Sequence, residues 1–595
     1  MNFIRNRKFR AGPQTSLEGF ICPQSSGKQQ KNRVFGRSEG GGNGSGENES
    51  GASYASITIN LPTVNGTRAT TNDQFDGGTA SEYTVNDATL VIFEKGTETS
   101  EKNFKFVETV PLGNLEPWKN VTPANKGITT EATITAQLTS AKVDETGGKY
   151  YALVILNNET ATGNKITLPS ESTETYGTWN VATNTTNITD YTKGFYMANA
   201  PQFTAANVEP TTLVKIEGIY RTKEEAQSKP ATTVHVERGL AKVTVSSNST
   251  TNYFGDTGAN ASGANYSNDK IKITEWALDV TNKTSFPVHV TEGLSNDYTD
   301  VWKNELNKSD RFVSASTSFK RVYWGVDPNY KNTDLNDPTK EADRTTNFTY
   351  IKKGDISSKA TDVAYCLENT FNLDNMKQGQ TTRVVFKATY TPNGFTAADG
   401  STFFKIGNHT ELWSKTNLVK QIKTKAQEVL HEADADKIDV VLDAESNDVE
   451  KTAGTKTLTK ANVKHNDAEV SEDEINKINE RLGLKAATST APIVGITTYV
   501  NGESYYIARI KHFGDDLTPW NAGEDTYGAN NEKYLGRYGV LRNNWYDLTV
   551  NSISGPGYPD VPEIKPNTPD DEDTKYISVS VKILDWAKRS QDVNL

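Results

Sequence analysis

The sequence predicts a mainly β protein built as two β-sandwich domains with a helical insertion, and three observations support this fold class. Short runs of apolar, β-branched and aromatic residues recur along the chain, such as ATLVIFE at 88–94 and KYYALVIL at 149–156. Loops rich in Gly, Asn, Thr and Asp separate these runs, as they separate the strands of sandwiches. Aromatic residues make up 9% of the 595 residues, which argues against general disorder.

Charge and cysteine content argue against several broad classes of protein. The chain has a net charge of −11 and no clustered basic face, which disfavours nucleic-acid binding. Cys22 and Cys366 are too few for a disulfide framework, and Cys366 in VAYCLENTF is expected to be a small buried apolar residue rather than a reactive thiol. No run approaches the roughly 18–20 apolar residues of a membrane-spanning helix.

The sequence offers no arrangement of residues typical of catalysis or metal binding. No two of the six histidines lie at a metal-ligand spacing, and HEADA at 431–435 lacks the second histidine of a zinc protease motif. The acidic stretch at 432–439 lacks the glycine and closing glutamate of a calcium loop, which favours a solvated turn. We therefore expect no enzyme, no metal and no cofactor.

The amino-terminal region is interpreted as a leader and flexible tether, residues 1–52. Residues 1–37 are basic and carry little pattern, and SEGGGNGSGENESGAS from Ser38 is typical of an acidic tether. We expect the export signal to be missing or replaced upstream of Ser38.

The first patterned element is SYASITINLPTVNGTRATT at 53–71. Polar residues alternate with apolar ones, which predicts a half-buried strand whose apolar face is formed by Ala55, Ile57, Ile59 and Leu61. Pro62 ends the strand, and the turn-prone loop that follows exposes a single basic residue, Arg68.

The middle of the chain is predicted to form the two domains. A polar, proline-containing connector in QSKPATTVHVERG marks the boundary between domains at 69–235 and 236–553. Within the second domain, 409–485 is an insertion with amphipathic helices at 409–437 and 471–483. Ser471 and Glu474 form a capping box for the second of these helices, and Gly483 stops it. A solvated decoration is favoured for this insertion over a partner-binding role.

The carboxyl end repeats the pattern of the first strand. A linker rich in Pro and Asp, 554–575, is predicted to stay extended and off its own domain. The strand after it alternates again, with apolar residues at Ile577, Val579, Val581 and Ile583. Leu584 and Trp586 have the opposite parity, which predicts a bulge or twist there. From the residues alone, the two terminal strands either pair within one sandwich or are exchanged between molecules.

These features resemble the fimbrillins of the type V pilus, the protease-processed fimbriae of Bacteroidales-type bacteria, and are most similar to the major stalk subunit of the short (minor) fimbriae. The likeness runs from about Ser53 to Leu595 and is strongest at the ends. Its motifs are SYASITINLPTVNGTRA, VERGLAKVTV (236–245), YCLENT (365–370), YVNGESYY (499–506), RNNWYDLTV (542–550) and ISVSVKILDWAKRSQDVNL. Residues 1–37 depart from the family, which has a lipoprotein signal there.

The resemblance implies two transthyretin-like sandwiches and a subunit exported as a lipoprotein precursor, with a lipid anchor on the precursor only. A trypsin-like, Arg-specific protease then cuts between Arg68 and Ala69, and the first strand, within 53–68, leaves. A cut at the rival site Arg37 would release no strand. The loss of the first strand, with its residues Ala55, Ile57, Ile59 and Leu61, leaves an open groove. The tail of another subunit fills that groove through its donor residues Ile577, Val579, Val581, Ile583, Leu584 and Trp586.

The same resemblance implies a fimbrium at the cell surface and outer membrane that supports adhesion and biofilm formation. The expected partners are copies of the chain, the anchor and tip subunits, and the processing protease. Two alternatives stay open. One is a tip or accessory adhesin, and the other is a stand-alone surface lipoprotein that binds host or microbial glycans or proteins.

Overall fold

The computed structural model describes most of the chain from residue 51 onward. The described residues are 51–61, 79, 82–113, 131–158, 165–184, 186–192, 194–203, 209–294, 312, 321–521, 531–571 and 577–584. All of them belong to the unit Glu47–Leu595. None of the helices within these ranges is long and apolar enough to cross a membrane.

The first part of the chain forms an eight-stranded sheet. The strands of this part are β1 (Ser53–Asn60), β2 (Ala88–Glu94), β3 (Lys105–Pro111), β4 (Glu131–Leu138), β5 (Tyr150–Leu156), β6 (Thr183–Asn184), β7 (Met197–Asn199), β8 (Val214–Lys215) and β9 (Thr232–Arg238). All except the short β6 belong to this sheet. The strand order is β3-β2-β5-β7-β9-β1-β4, and β8 pairs with β5. The helices of this part are α1 (Tyr176–Trp179), α2 (Thr186–Thr189) and α3 (Lys223–Ser228).

Directly after Gly239 the chain enters a second group of sheets. Before the insertion its strands are β10 (Leu240–Ser247), β11 (Ala259–Asn260), β12 (Lys270–Asp279), β13 (Thr281–Asn282), β14 (Thr284–Ser285), β15 (Phe348–Thr349), β16 (Ala364–Leu367) and β17 (Arg383–Thr391), with helix α4 (Glu341–Asn347). Small pairs join β13 to β15 and β14 to β6.

The insertion between β17 and the next strand of its sheet has a hydrophobic core of its own. Its elements are β18 (Phe403–Ile406), β19 (Leu412–Trp413), α5 (Lys415–Leu430), β20 (Ile438–Val440), β21 (Asp443–Ala444), β22 (Asn447–Asp448), β23 (Gly454–Lys456), β24 (Val463–His465), β25 (Ala468–Glu469), α6 (Glu472–Arg481) and β26 (Ile496–Tyr499). They form the sheets β19-β18-β26-β23, β20-β24-β25 and β21-β22.

The chain closes with β27 (Glu503–Arg509), α7 (Gly514–Leu517), β28 (Trp545–Ile553) and β29 (Ile577–Leu584). Two four-stranded sheets result, β16-β10-β28-β29 and β11-β12-β17-β27. Their apolar residues share one core, which includes Val243, Phe386, Tyr506 and Leu548.

Both helices expected between 409 and 485 are present. The first is shorter than predicted, because residues 412–413 belong to β19 and the helix begins after Ser414, whose side chain accepts a hydrogen bond from the Asn417 N–H. It ends at His431, which has a left-handed φ of 53°. The second carries the predicted capping box of Ser471 and Glu474. The mainly β fold is confirmed, and the predicted domain bounds stay a prediction.

Buried polar contacts join the eight-stranded sheet to the second group of sheets where β9 leads into β10. Lys242 Nζ lies 2.8 Å from Glu82 Oε1, with both side chains almost fully buried. Glu237 Oε1 lies 2.7 Å from His289 Nδ1. Burial opposes ionisation of Glu82, but hydrogen bonds from Lys242 and Tyr365 hold the pKa of this carboxyl below its usual value. The charged pair is thereby stabilised away from water.

Cys366 lies on β16 and is buried, as expected. Burial raises the pKa of its thiol to about 12, so the thiol stays protonated at neutral pH and acts as an apolar packing group.

Candidate functional site

The first strand, β1, lies inside the eight-stranded sheet rather than at its edge. It is antiparallel to β4 over its whole length, from the pair Ser53↔Leu138 to the pair Asn60↔Glu131. On its other side, residues 57–60 run parallel to β9. We call the space that β1 and Leu61 occupy between β4 and β9 the slot.

The apolar face of β1 packs into the first hydrophobic core. Ala55, Ile57 and Ile59 are 0% exposed, and Leu61 is 3% exposed. The four residues predicted for this face are therefore the ones that face the core. At roughly 1.5–3 kcal/mol for a buried Ile or Leu, this row contributes several kcal/mol to the stability of the sheet.

The other face of β1 makes hydroxyl contacts. Ser56 Oγ lies 3.0 Å from Thr135 Oγ1 and donates to the Ala226 carbonyl of α3 at 2.9 Å. Thr58 Oγ1 lies 2.8 Å from Thr133 Oγ1. These hydroxyls give β4 a specific partner pattern in addition to the backbone ladder.

The start of β1 is fixed by two further contacts. Tyr54 and Tyr220 exchange two backbone hydrogen bonds of 2.8 Å. Ser53 Oγ donates to the Ala141 carbonyl at 2.7 Å. The strand is thus bound along its whole length.

The last strand, β29, pairs with β28 at the edge of a different sheet. The interpretation in which the two terminal strands pair with each other is therefore wrong. One register shift interrupts the β28–β29 ladder, between Val550 and Ser552. This irregularity lies at the opposite end of β29 from the bulge predicted near Leu584, which pairs with Trp545 without a shift. Trp586 lies outside the described residues.

The predicted linker does not stay off its own domain. We call residues 554–571 the tail base, and they run along the second group of sheets. The Pro562 carbonyl accepts a 2.7 Å hydrogen bond from Arg383, and the Thr568 carbonyl accepts one of 2.9 Å from the Gln378 N–H. Proline fixes the backbone in an extended form but leaves its carbonyl free to accept, so a Pro-rich segment can bind a surface. The prediction of a tail hanging free of its domain is corrected in the same way, because 577–584 completes the β28 edge.

The tail base ends in two anchored carboxylates. Asp570 is 0% exposed and accepts a 2.5 Å hydrogen bond from Thr381 Oγ1. Burial raises its pKa to about 7, although Arg509 opposes the rise, because Arg509 Nε lies 3.7 Å from the carboxylate. Asp571 accepts hydrogen bonds of 2.9 Å from Arg537 and from the Tyr538 hydroxyl.

Sequence analysis identified the apolar face of β1 but missed the groups around it and around the tail base. Asp570 and Asp571 carried no signal, because they stand in an acidic run typical of a solvated linker. Thr133 and Thr135 could have been found, since EATITAQL at 131–138 alternates like the first strand. The processing residues Arg68 and Ala69 lie outside the described residues.

A cavity of about 640 Å³ lies between the loop at 99–102, helix α1 and residues 286–292. Glu101 in its wall accepts hydrogen bonds from the Thr212 and Leu213 N–H groups. Burial raises the pKa of this carboxyl to about 7. These bonds give Glu101 a structural role in joining two loops. Within the described ranges, no cluster of His, Cys, Asp or Glu could hold a metal ion.

Comparison with known proteins connects the carboxyl-terminal part to one family. Residues 497–592 match the family model described as "Major fimbrial subunit protein type IV, Fimbrillin, C-terminal". This range includes β27, β28, the tail base and β29. Among curated protein sequences, none matches the chain.

Several solved structures align over most of the chain at low identity. A candidate cell adhesion protein from Parabacteroides distasonis ATCC 8503 is 10% identical, with 90% of this chain and 98% of that chain covered and a TM-score of 0.35. A fimbrilin from Porphyromonas gingivalis W83 is 11% identical, with 90% of this chain and 99% of that chain covered and a TM-score of 0.31. A tip fimbrial protein from Porphyromonas gingivalis with a C-terminal truncation is 10% identical, with 90% of this chain and 100% of that chain covered and a TM-score of 0.28. At these scores the likeness carries no weight for the fold or function of this chain.

The family match supports a fimbrial structural subunit at the cell surface. The predicted resemblance to the fimbrillins is confirmed over residues 497–592, the part of the chain that matches the family model.

Proposed function

We propose that the chain is the stalk subunit of a surface fimbrium, similar to the short fimbriae, and that it polymerises by protease-triggered donor-strand exchange. It is exported as a lipoprotein precursor, and an Arg-specific protease cuts it between Arg68 and Ala69 at the outer membrane. The tail of one copy then replaces β1 of the next. The filament supports adhesion and biofilm formation together with anchor and tip subunits.

The observation that carries this proposal is the position of β1. It is the first described strand of the chain, yet it lies between β4 and β9 in the sheet. A strand at the start of a chain can be removed by one cut without breaking the connection between any other two elements. Its removal leaves an apolar slot with unpaired backbone groups on both sides, which is a strong site for strand addition.

The position of β29 supplies the second half of the proposal. As an edge strand, it leaves its sheet by breaking one ladder only, the ladder with β28. In the slot it gains partners on two sides. Filling from another molecule is heterologous and does not close, so each added copy brings a new slot and a new tail, and a filament results.

The presence of a tail that can be passed on favours a stalk subunit over a tip subunit. A subunit at the end of a filament has no further copy to fill. A stand-alone surface lipoprotein would have no need for a strand that can be removed from inside a sheet. Two transthyretin-like sandwich domains, 69–235 and 236–553, form the body of the subunit in this proposal.

The maturation step is tested by amino-terminal sequencing of filaments taken from cells. We expect the assembled chain to begin at Ala69. Arg68→Ala should leave a folded subunit that stays monomeric, whereas the control Arg37→Ala should assemble normally. Filaments that begin at Ser38, or normal assembly of Arg68→Ala, would contradict the proposal.

The donor is tested by deleting residues 576–595. The shortened chain should fold and be exported but form no filaments, because the remaining sheet keeps β16, β10 and β28. If it still assembles into normal fimbriae, the tail is only an edge strand of its own domain.

A further inference from the structure

The two terminal strands match position by position. Residues 54–61 read YASITINL, and residues 576–583 read YISVSVKI. Both segments begin with tyrosine, alternate apolar and polar residues in the same phase, and carry hydroxyl residues at the first two polar positions. The alignment puts Ser578 at the position of Ser56, Ser580 at that of Thr58, and Lys582 at that of Asn60.

The strands that pair with them match as well. In β4, the antiparallel partner of β1, Glu131, Thr133 and Thr135 lie opposite Asn60, Thr58 and Ser56. In β28, the antiparallel partner of β29, Asp547, Thr549 and Ser552 lie opposite Lys582, Ser580 and Ser578. An acid, a threonine and a hydroxyl residue therefore follow in the same order in both partners. On β28, the tail therefore lies opposite the same types of residue that β4 would place opposite it in the slot.

We propose that the tail enters the slot of a second copy of this chain in one fixed register, set by the polar face of the strand. Three cross-strand pairs define this register: Ser578 with Thr135, Ser580 with Thr133, and Lys582 with Glu131. This inference rests on donor-strand exchange and adds the residues that determine its alignment.

The apolar residues alone do not set the register, because a shift of two residues keeps the same face toward the core. A shift in one direction puts Lys582 opposite Thr133 and removes it from Glu131. A shift in the other direction puts Tyr576 at the position of Ser56. That position is 7% exposed and within 2.9 Å of the Ala226 carbonyl, so a tyrosine ring does not fit there.

The register also explains why the tail moves from β28 into the slot rather than remaining on β28. The β1–β4 ladder has no register shift over eight consecutive pairs, whereas the β28–β29 ladder is interrupted at Val550 and Ser552. In the slot, β9 adds a parallel ladder opposite residues 57–60. Beside Lys582 this ladder offers His235, whose pKa burial lowers to about 4, so the imidazole is uncharged at neutral pH and does not repel the ammonium group.

Thiol cross-linking between two chains tests the register. The acceptor chain carries Thr133→Cys, lacks residues 576–595 so that it cannot fill another copy, and is cut by trypsin or the native protease. The donor chain carries Ser580→Cys together with Arg68→Ala, so that it keeps its own β1 and cannot accept a tail. After mixing and mild oxidation, we expect a disulfide-linked heterodimer on non-reducing gels. The pair Thr135→Cys with Ser578→Cys should give the same product.

Mismatched pairs are the controls: Thr133→Cys with Ser578→Cys, and Thr135→Cys with Ser580→Cys. They should cross-link at least ten times more slowly than the matched pairs. Complex formation with faster cross-linking of a mismatched pair would overturn the register while leaving strand exchange intact. If the cut acceptor and the donor form no complex at all, as judged by size-exclusion chromatography before oxidation, strand exchange itself fails. The native Cys366 is buried and does not take part, and Cys22, which the uncut donor retains, is replaced by Ser in both chains.

Discussion

The two terminal strands have nearly the same sequence pattern but different positions in their sheets. β1 has a partner on each side and its apolar residues are completely buried, whereas among the described strands β29 forms a backbone ladder with β28 alone. A strand with two ladders is held much more firmly than one with a single ladder. The difference shows that the alternating pattern specifies a strand and its face, while the number of neighbours decides whether the strand can leave. It also predicts that the same substitution has different consequences in the two strands.

The largest expected effect comes from placing a charge in each strand. Ile57→Asp buries an unpaired carboxylate in the first core and should lower the free energy of unfolding of the precursor by about 4–5 kcal/mol or more. Val579→Asp should leave the precursor folded, because β29 is the edge of its sheet, but it should abolish filament formation. Urea denaturation of the two precursors measures the first effect, and electron microscopy of cut protein measures the second.

Thr549→Asp is the matched control for this comparison. It puts a carboxylate on the partially exposed face of β28 and should not prevent the release of the tail. If Val579→Asp unfolds the precursor as much as Ile57→Asp does, β29 is an integral strand of its sheet, and the contrast between the two strands is lost.

Sequence patterns predicted most of the strands and both longer helices, because these depend on local alternation and capping. Ser471 with Glu474, for example, specifies a helix start by itself. The position of β29 could not be predicted, because an alternating pattern specifies a strand without specifying which strand it pairs with. The tail base was predicted to be free because Pro and Asp are typical of solvated linkers. Its attachment depends on Arg383, Arg509 and Arg537, which approach it only in the folded chain.

The next effect concerns Asp570, which anchors the tail, whereas β1 has no comparable charged anchor among its described contacts. The pKa of this carboxyl rises from 3.8 to about 7 in the folded protein because it is buried. The native state therefore keeps the proton when the unfolded chain has lost it. The contribution of Asp570 to stability is complete below about pH 4 and falls as the pH rises to about 7, by at most about 1.4 kcal/mol per pH unit.

Asp570→Asn removes this dependence while keeping an acceptor for Thr381. The difference in free energy of unfolding between this variant and the wild type should shift in favour of the variant from about pH 4 to about pH 7 and then level off. Asp327→Asn is the control, since burial also raises the pKa of Asp327 to about 7, but this carboxyl accepts hydrogen bonds from Asn282, Asn329 and Thr370, none of which belongs to the tail base. For both variants, the difference in free energy of unfolding from the wild type should change with pH in this way, and only Asp570→Asn should make Lys565 more accessible to trypsin. A difference that grows in the opposite direction would show that Asp570 is ionised in the native state.

The smallest expected effect is at Ile577, the position where the tail and β1 differ most in size. In the proposed register Ile577 takes the place of Ala55, which is 0% exposed and lies opposite the buried Ala136. The larger side chain must displace its neighbours, which costs about 1–3 kcal/mol in a packed core and offsets the gain from burying it. Ile577→Ala should therefore change the rate of filament growth by less than tenfold. Val579→Ala should slow growth more strongly, because Val579 takes the place of Ile57, where the slot is already larger than the side chain. Light scattering of cut protein at equal concentration measures both rates. If Ile577→Ala slows growth more than Val579→Ala does, the tail does not occupy the slot in this register, and the likeness between the two strands does not extend to their binding.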